Sequence, residues 1–149
     1  MTVAAANTNQ SELNFLLDSN IVSELARPQP HQLVVQRFQA HQGQLALPTP
    51  ALHELRYGCL RLPPGQRREF LQGFLNLVVG RLPKLPYDAR AALLHAQFRA
   101  EAEGRGRVLP LLDAQIAAIA ITQGLTLVTR NMRDFEGLTD LRVLNWFED

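Results

Sequence analysis

The sequence predicts a single α/β domain in which a parallel sheet is flanked by helices on both faces. The chain has 149 residues, of which 46% are apolar, and this is enough for one sizeable core. Short apolar runs alternate with helical segments, a pattern typical of a parallel sheet covered on both faces. No repeat or linker divides the chain, so we expect one domain over residues 14–149.

The first 13 residues are predicted to form a disordered tail. They lack the basic start and the apolar stretch of a secretory signal peptide. No run of 18 apolar residues occurs in the sequence, so we expect no membrane-spanning helix. The only cysteine, Cys59, excludes an internal disulfide and suits a reducing compartment. We therefore expect a cytoplasmic protein.

The first elements are short. An apolar run at 15–17 predicts a strand, and residues 21–26 predict a helix that must end before Pro28. Apolar residues recur with helical spacing over residues 31–42, which predicts an amphipathic helix closed by Gly43.

A second apolar run at 45–47 predicts the next strand. Thr49 is expected to cap the following helix, with Pro50 as its first helical residue, and that helix should run to about Leu60. A Pro-Pro-Gly sequence then breaks the chain before a further helix at 66–79.

The second half predicts two long helices and three strands. One helix is alanine-rich and spans residues 88–103, and the other spans 113–123 and is closed by Gly124 in the left-handed conformation. The strands are predicted at 82–85, 125–129 and 142–144.

Four acidic residues follow predicted strands or lie near the start of predicted helices. Asp18 follows the first strand, Glu54 lies about one turn into the helix after the second, and Asp113 opens the helix that ends at Gly124. Asp134 lies just beyond the clearest strand. The carboxyl ends of parallel strands meet at one edge of a sheet, where ligands bind in such folds. We therefore expect these carboxylates to converge.

Each acidic residue also has a structural interpretation. Asp18 could cap the first helix, Asp113 could cap its own helix, Glu54 could be a surface residue and Asp134 a turn residue. Convergence favours function, because neighbouring carboxylates repel one another and raise each other's pKa unless a cation lies between them. Mg²⁺ and Mn²⁺ are oxygen-seeking ions that relieve this repulsion.

Three segments have residues in an order and spacing that match a known family. They are LLDSNIVSEL, LPTPALHELRYG and LLDAQIAAIAITQGLTLVTRNMRDF. From about Phe15 to Trp146, the chain resembles the PIN-domain family, and specifically the VapC-type toxins of bacterial toxin–antitoxin pairs. The resemblance implies an endoribonuclease that an antitoxin encoded beside it keeps inactive. It also implies that Asp18, Glu54 and Asp113 bind one or two Mg²⁺ or Mn²⁺ ions.

The fourth acidic position has two candidates. Some members of the family carry aspartate directly after a Thr-Arg pair, where this chain has Asn131, and the nearby acid is Asp134. The Asn131 amide, expected to point into the site, could hydrogen-bond a metal-bound water. Asp134 could supply the missing charge only if the chain turns helical after Arg130.

The implied chemistry is metal-assisted phosphodiester hydrolysis, in which one ion activates water and a second stabilises the leaving oxygen. Asn20, Thr129 and Arg130 are candidates for positioning the carboxylates or the scissile phosphate. Arg130 could instead pair with Asp134.

Arginines are concentrated between the second and third predicted strands. They are Arg56, Arg61, Arg67, Arg68 and Arg81, against the single acid Glu69 over residues 56–81. The net charge of +1 is too small to attract nucleic acid to the chain as a whole. Any RNA binding would therefore depend on a local patch such as this one. It could equally be a solvated helical face or an antitoxin contact. Arg105 and Arg107 are similar candidates.

The main alternative is a non-catalytic RNA-binding or scaffold protein of the same fold. A phosphate-accepting signalling domain would need a lysine after a late strand, and the only lysine, Lys84, lies elsewhere. We also expect a homodimer, and an antitoxin segment that enters the acidic site with a basic side chain.

Overall fold

Five parallel strands form the centre of the fold in the computed structural model, which describes residues 12–149. They are β1 (Phe15–Leu17), β2 (Leu45–Pro48), β3 (Lys84–Leu85), β4 (Thr126–Val128) and β5 (Val143–Leu144). Their order across the sheet is β3-β2-β1-β4-β5, and each neighbouring pair is parallel. The predicted α/β fold is confirmed.

Six α-helices and one 3-10 helix connect these strands. They are α1 (Ser19–Leu25), α2 (Gln32–Ala40), α3 (Thr49–Leu60), α4 (Gln66–Gly80), α5 (Ala89–Gly104), α6 (Leu111–Gln123) and the 3-10 helix Met132–Phe135. The ends of the α-helices differ from their predicted ends by at most two residues. No helix within residues 12–149 is both long and apolar enough to cross a membrane.

The strand order reverses between β1 and β4. The chain moves outward from β1 to β2 and β3, and then crosses back to place β4 on the other side of β1. Because such crossovers are right-handed, the first two connections cover one face of the sheet and the third covers the other. The point of reversal leaves a crevice beyond the carboxyl ends of β1 and β4, where ligands bind in open α/β sheets.

The core explains the apolar runs of the sequence. Both faces of β1, β2 and β4 are covered, and α6 is buried along residues 116–120. The core also includes Leu13, one residue before the predicted domain boundary, whereas residues 1–11 of the predicted tail lie outside the described part of the chain.

The prediction of one helix end is correct, and that of another is wrong. Gly124 adopts the left-handed conformation after α6, with φ 67°, as predicted. Thr49 is not the cap of α3, because the helix begins at Thr49 itself and Pro48 holds the extended cap position. The reason is that β2 continues directly into α3, so the last strand residue also serves as the helix cap.

Candidate active site

Asp18 lies at the carboxyl end of β1, beside β4. Its backbone N–H donates to the Val128 carbonyl at 2.9 Å, and its Oδ1 accepts from the Ser19 N–H at 2.8 Å, so Asp18 does cap α1. The side chain has a second set of contacts, because Oδ2 accepts from the Thr129 hydroxyl at 2.8 Å and from the Asn20 amide at 3.3 Å. Capping and site formation therefore use different oxygens of one carboxylate.

Glu54 faces the same region from α3. Its Oε2 accepts a 2.6 Å hydrogen bond from the Ser19 hydroxyl, and Ser19 follows Asp18 directly. Burial and then the charges of Glu54 and Asp134 raise the pKa of Asp18, while the hydrogen bonds from Thr129 and Ser19 act in the opposite direction. The structure thus brings residues from β1, α3 and the 3-10 helix together.

Asp113 is the acid whose pKa departs most clearly from its ordinary value. Its pKa is raised to about 6, first by burial, then by the charges of Asp18, Asp134 and Glu54, and by a hydrogen bond to Asp134. Asp113 is not the helix cap, because α6 begins at Leu111 and Asp113 lies within its first turn. The carboxylate is therefore free of the capping role that the sequence allowed.

Thr129 and Asn20 hold the cluster together from β4 and α1. Thr129 is fully buried, and its hydroxyl donates to Asp18 while accepting from the Asn20 amide at 3.2 Å. The Asn20 carbonyl oxygen accepts from the Arg130 N–H at 3.2 Å. These bonds join residues more than 100 positions apart in sequence and fix the orientation of the Asp18 carboxylate.

Asn131 does not direct its side chain into the site as the sequence suggested, and Arg130 does not pair with Asp134. Asn131 is exposed and contributes through its backbone, donating its N–H to the Thr129 hydroxyl at 3.1 Å. The Arg130 guanidinium lies over the ring of Phe147, 4.6 Å from its centre, and forms no ion pair with Asp134. The chain does turn helical after Arg130, which was the condition for Asp134 to reach the site.

The predicted arginine patch is dispersed over α3 and α4. Arg67 lines a groove of about 560 Å³ together with Glu54, Leu55, Gly58 and Phe70. The Arg61 guanidinium lies 5.8 Å from the centre of the Tyr57 ring. Arg56 and Arg68 are half-buried, whereas Arg67 and Arg81 are exposed. Of this set, Arg67 lines the same groove as Glu54, so it shares a surface with an acid of the cluster.

No residue between 12 and 149 forms an ion pair with the acidic cluster. Among residues 12–149, the ion pairs are Arg27–Glu24 and Arg99–Glu103, and neither involves the cluster. In the same range, no group of three His, Cys, Asp or Glu side chains is positioned to coordinate one metal ion. Mg²⁺ is commonly held by one or two carboxylates, with waters and substrate phosphate completing its shell. An all-oxygen cluster with unbalanced charge fits an ion held in that open manner.

Two features of the site were not found from the sequence. The contact of Ser19 with Glu54 had a weak signal, since a hydroxyl residue directly follows the first acid of the motif. The position of Phe147 beside Arg130 had none, because it depends on how the C-terminal segment packs after β5.

This fold and this cluster match a known class of protein. A family model of the PIN domain matches residues 15–140, which is most of the chain. The chain therefore belongs to the PIN-domain family, as its resemblance implied. It is 36% identical over 135 residues to the tRNA(fMet)-specific endonuclease VapC of Shigella flexneri, with 90% of this chain and 98% of that protein covered.

Other relatives point to the same branch of the family. The chain is 34% identical over 140 residues to Toxin FitB of Neisseria gonorrhoeae, with 90% of this chain and 99% of that protein covered. Its structure resembles DNA-bound VapBC from Salmonella typhimurium with a TM-score of 0.80 and 30% identity, over 90% of this chain and 98% of that one. Within the PIN-domain family, the chain is thus of the VapC type.

Proposed function

We propose that this chain is the toxin of a toxin–antitoxin pair and that it cleaves RNA with the help of Mg²⁺ or Mn²⁺. The observation that carries the proposal is the convergence of four carboxylates at the point where the strand order reverses, with no ion-pair partner for them in the described part of the chain. Relatives named as ribonucleases and toxins support the reaction class. We place its action in the cytoplasm, where RNA is available.

The carboxylates have separate roles in this proposal. Asp18 and Asp113 would hold the ion, and Glu54, oriented by the Ser19 hydroxyl, would ligate it or orient the attacking water. Asp134 would add negative charge through water. A bound divalent ion supplies activation of water and neutralises charge that develops on the phosphate. Thr129 and Asn20 keep the Oδ2 atom of Asp18 in place, so that little reorganisation is needed when an ion binds.

The RNA backbone is expected to approach along the positive side chains nearest the cluster. The Arg130 guanidinium lies over the Phe147 ring, and the Arg130 backbone N–H donates to Asn20 of the cluster. Arg67 lines the groove that also includes Glu54. Guanidinium groups suit phosphate because their planar fork donates two parallel hydrogen bonds. We assign Arg130 and Arg67 to phosphate binding, with Arg56, Arg61 and Arg68 as outer candidates.

The cognate antitoxin is proposed to occupy the same groove. The groove lies between α1, α3 and α4, is mostly apolar and carries Glu54 in its wall. An antitoxin segment with apolar side chains and one basic residue fits it, because the basic residue would neutralise the acidic cluster. Two structural relatives are complexes of this kind, VapBC from Salmonella typhimurium and FitAB, both solved with DNA.

The direct test measures cleavage of a mixed RNA substrate by the purified chain. We expect activity with Mg²⁺ or Mn²⁺, none after chelation with EDTA, and none in Asp18→Asn even at saturating metal. Asp140→Asn is the matched control, since it removes an exposed carboxylate outside the cluster and should cleave as the wild type does. Metal-independent cleavage would reject the metal assignment, and RNA binding without cleavage would favour the non-catalytic alternative.

A further inference from the structure

Arg107, a predicted candidate for RNA binding, makes contacts within the protein that such a role does not explain. Its guanidinium donates through Nη1 to the Glu136 carbonyl and through Nη2 to the Arg133 carbonyl, the latter at 3.5 Å. These carbonyls lie at the end of the 3-10 helix that carries Asp134. A side chain that could have faced RNA is therefore directed at the segment that presents an acid of the cluster.

The backbone of Arg107 is itself fixed to the end of α5. Gly106 adopts the left-handed conformation with φ 76°, its N–H donates to Glu103, and the Arg107 N–H donates to the Ala102 carbonyl at 2.8 Å. This pair of bonds is the Schellman arrangement, which closes a helix and fixes the direction of the next residue. Arg107 thus leaves a rigid helix end at a defined angle.

Gly137 provides the space that the guanidinium occupies. A Cβ at this position would lie 2.6 Å from Arg107 Nη1, closer than any real contact, and Gly137 has φ 88°. Because Gly137 has no side chain, the guanidinium can reach the carbonyls of Arg133 and Glu136. Phe135, which is buried in the core, anchors the opposite side of the same short helix.

We propose that Arg107 is a positioning residue that clamps the segment carrying Asp134 to the segment leading into α6, and so fixes Asp134 against Asp113. Arg107 lies four residues before α6, and Asp113 lies in the first turn of that helix. The charge of Asp134 contributes to the raised pKa of Asp113, so the two carboxylates lie near each other, and the elements that carry them are cross-linked by one guanidinium. This inference extends the proposed function, because it gives the fourth acid its support.

The first test is hydrogen exchange of the metal-free protein. The Glu136 N–H donates to Arg133 and the Asp134 N–H donates to Asn131. In Arg107→Ala we expect both amides to exchange about tenfold faster, because loss of charged hydrogen bonds loosens the short helix. The Leu127 amide of β4 should keep its protection, which excludes general unfolding. Arg105→Ala is the matched control: it removes a neighbouring exposed arginine with no side-chain hydrogen bond recorded among residues 12–149.

The second test is calorimetric titration of Mn²⁺ without RNA. We expect affinity to fall about tenfold in Arg107→Ala, a loss typical of removing a group that orients metal ligands, and to remain unchanged in Arg105→Ala. Arg107→Lys keeps the charge but loses the two-pronged donor, so it should resemble Arg107→Ala in both measurements.

The two readouts separate the clamp from the metal assignment. Faster exchange with unchanged Mn²⁺ affinity supports the clamp and rejects a role of Asp134 in metal binding. Unchanged exchange in Arg107→Ala overturns the clamp. If Arg107→Ala then also raises the KM for RNA while Arg107→Lys does not, Arg107 is a phosphate contact instead.

Discussion

At the scale of single residues, the site is dominated by negative charge that no ion pair among residues 12–149 balances. The pKa of Asp113 is raised to about 6, and that of Asp18 is also raised, in both cases first by burial and also by neighbouring carboxylates. Such a cluster opposes folding when it is fully ionised. The site is therefore poised to take up either protons or a cation.

The pH dependence of stability tests this electrostatic account. The pKa of Asp113 in the folded protein, about 6, lies above its ordinary value of 3.8. Its contribution to stability is therefore fully present below about pH 4 and is lost as the pH rises through about 6. We expect the free energy of unfolding of the metal-free protein to contain this fall, and Asp113→Asn to show a shallower one. Urea denaturation in EDTA at several pH values measures it.

The comparison needs a control of the same chemistry. Asp140→Asn, on the exposed surface, should keep the wild-type pH profile. Equal slopes in Asp113→Asn and the wild type would mean that Asp113 titrates at an ordinary pKa and that the cluster is not crowded.

The Thr129 hydroxyl is a second residue whose loss has a defined cost. Valine has nearly the same shape but cannot donate to Asp18 or accept from Asn20 and Asn131. Because Thr129 is fully buried, Thr129→Val should lower the free energy of unfolding by about 1–3 kcal/mol. Chemical denaturation measures this loss. Thr122→Val is the comparison, because the half-buried Thr122 hydroxyl donates only to carbonyls of its own helix. A Thr129→Val loss no larger than that of Thr122→Val would count against the network.

At the scale of elements, the 3-10 helix favours Asp134 over Asn131 for the fourth position of the proposed site. It begins directly after Asn131, leaves Asn131 exposed and brings Asp134 near enough to Asp113 for its charge to raise the pKa of Asp113. A chain that stayed extended beyond β4 would have carried Asp134 away. The geometry of one short turn thus distinguishes two residues that the sequence left as alternatives.

Titration of Mn²⁺ during RNA cleavage separates these two residues. We expect Asp134→Ala to need roughly tenfold more metal for half-maximal activity, partly restored by excess metal, because it removes charge that acts through water. Asn131→Ala should remain close to the wild type, since its recorded contacts use the backbone. An inactive Asn131→Ala beside a normal Asp134→Ala would reverse the assignment.

At the scale of the whole molecule, residues 12–149 leave one helical surface uncovered. Leu93, Ala96 and Ala100 lie on one stripe of α5, and Leu93 is 70% exposed. Leu111, 57% exposed, borders a depression that is also lined by Ala96 and Ala100. Exposed apolar surface of this kind marks a protein contact in many proteins.

We therefore predict that the chain forms a homodimer through this surface of α5. Light scattering should give twice the monomer mass at micromolar concentration, and Leu93→Glu should shift the protein toward the monomer because it places charge in an apolar contact. Leu77→Glu, which changes another exposed leucine, this one on α4, is the control and should remain dimeric. A monomeric wild type would contradict the dimer, and a dimeric Leu93→Glu would move the interface elsewhere.

The amino-acid sequence was sufficient to locate the elements and to select the candidate acids. The period of apolar residues, the prolines and the Gly-closed helix at Gly124 depend on neighbours a few positions away, so the elements could be located to within two residues. Asp18, Glu54, Asp113 and Asp134 could be selected because the ends of parallel strands share one edge of the sheet. The family resemblance then implied that the first three of these bind metal.

Only the tertiary structure decided which side chains meet. The bond from Thr129 to Asp18, the stacking of Arg130 on Phe147 and the contact of Arg107 with the 3-10 helix join segments far apart in the chain. Such pairs depend on strand order and on the direction in which each helix end releases the chain, and neither follows from a local pattern. For this reason the sequence could name Arg107 only as a candidate for RNA binding, whereas the fold directs its guanidinium at the carbonyls of Arg133 and Glu136.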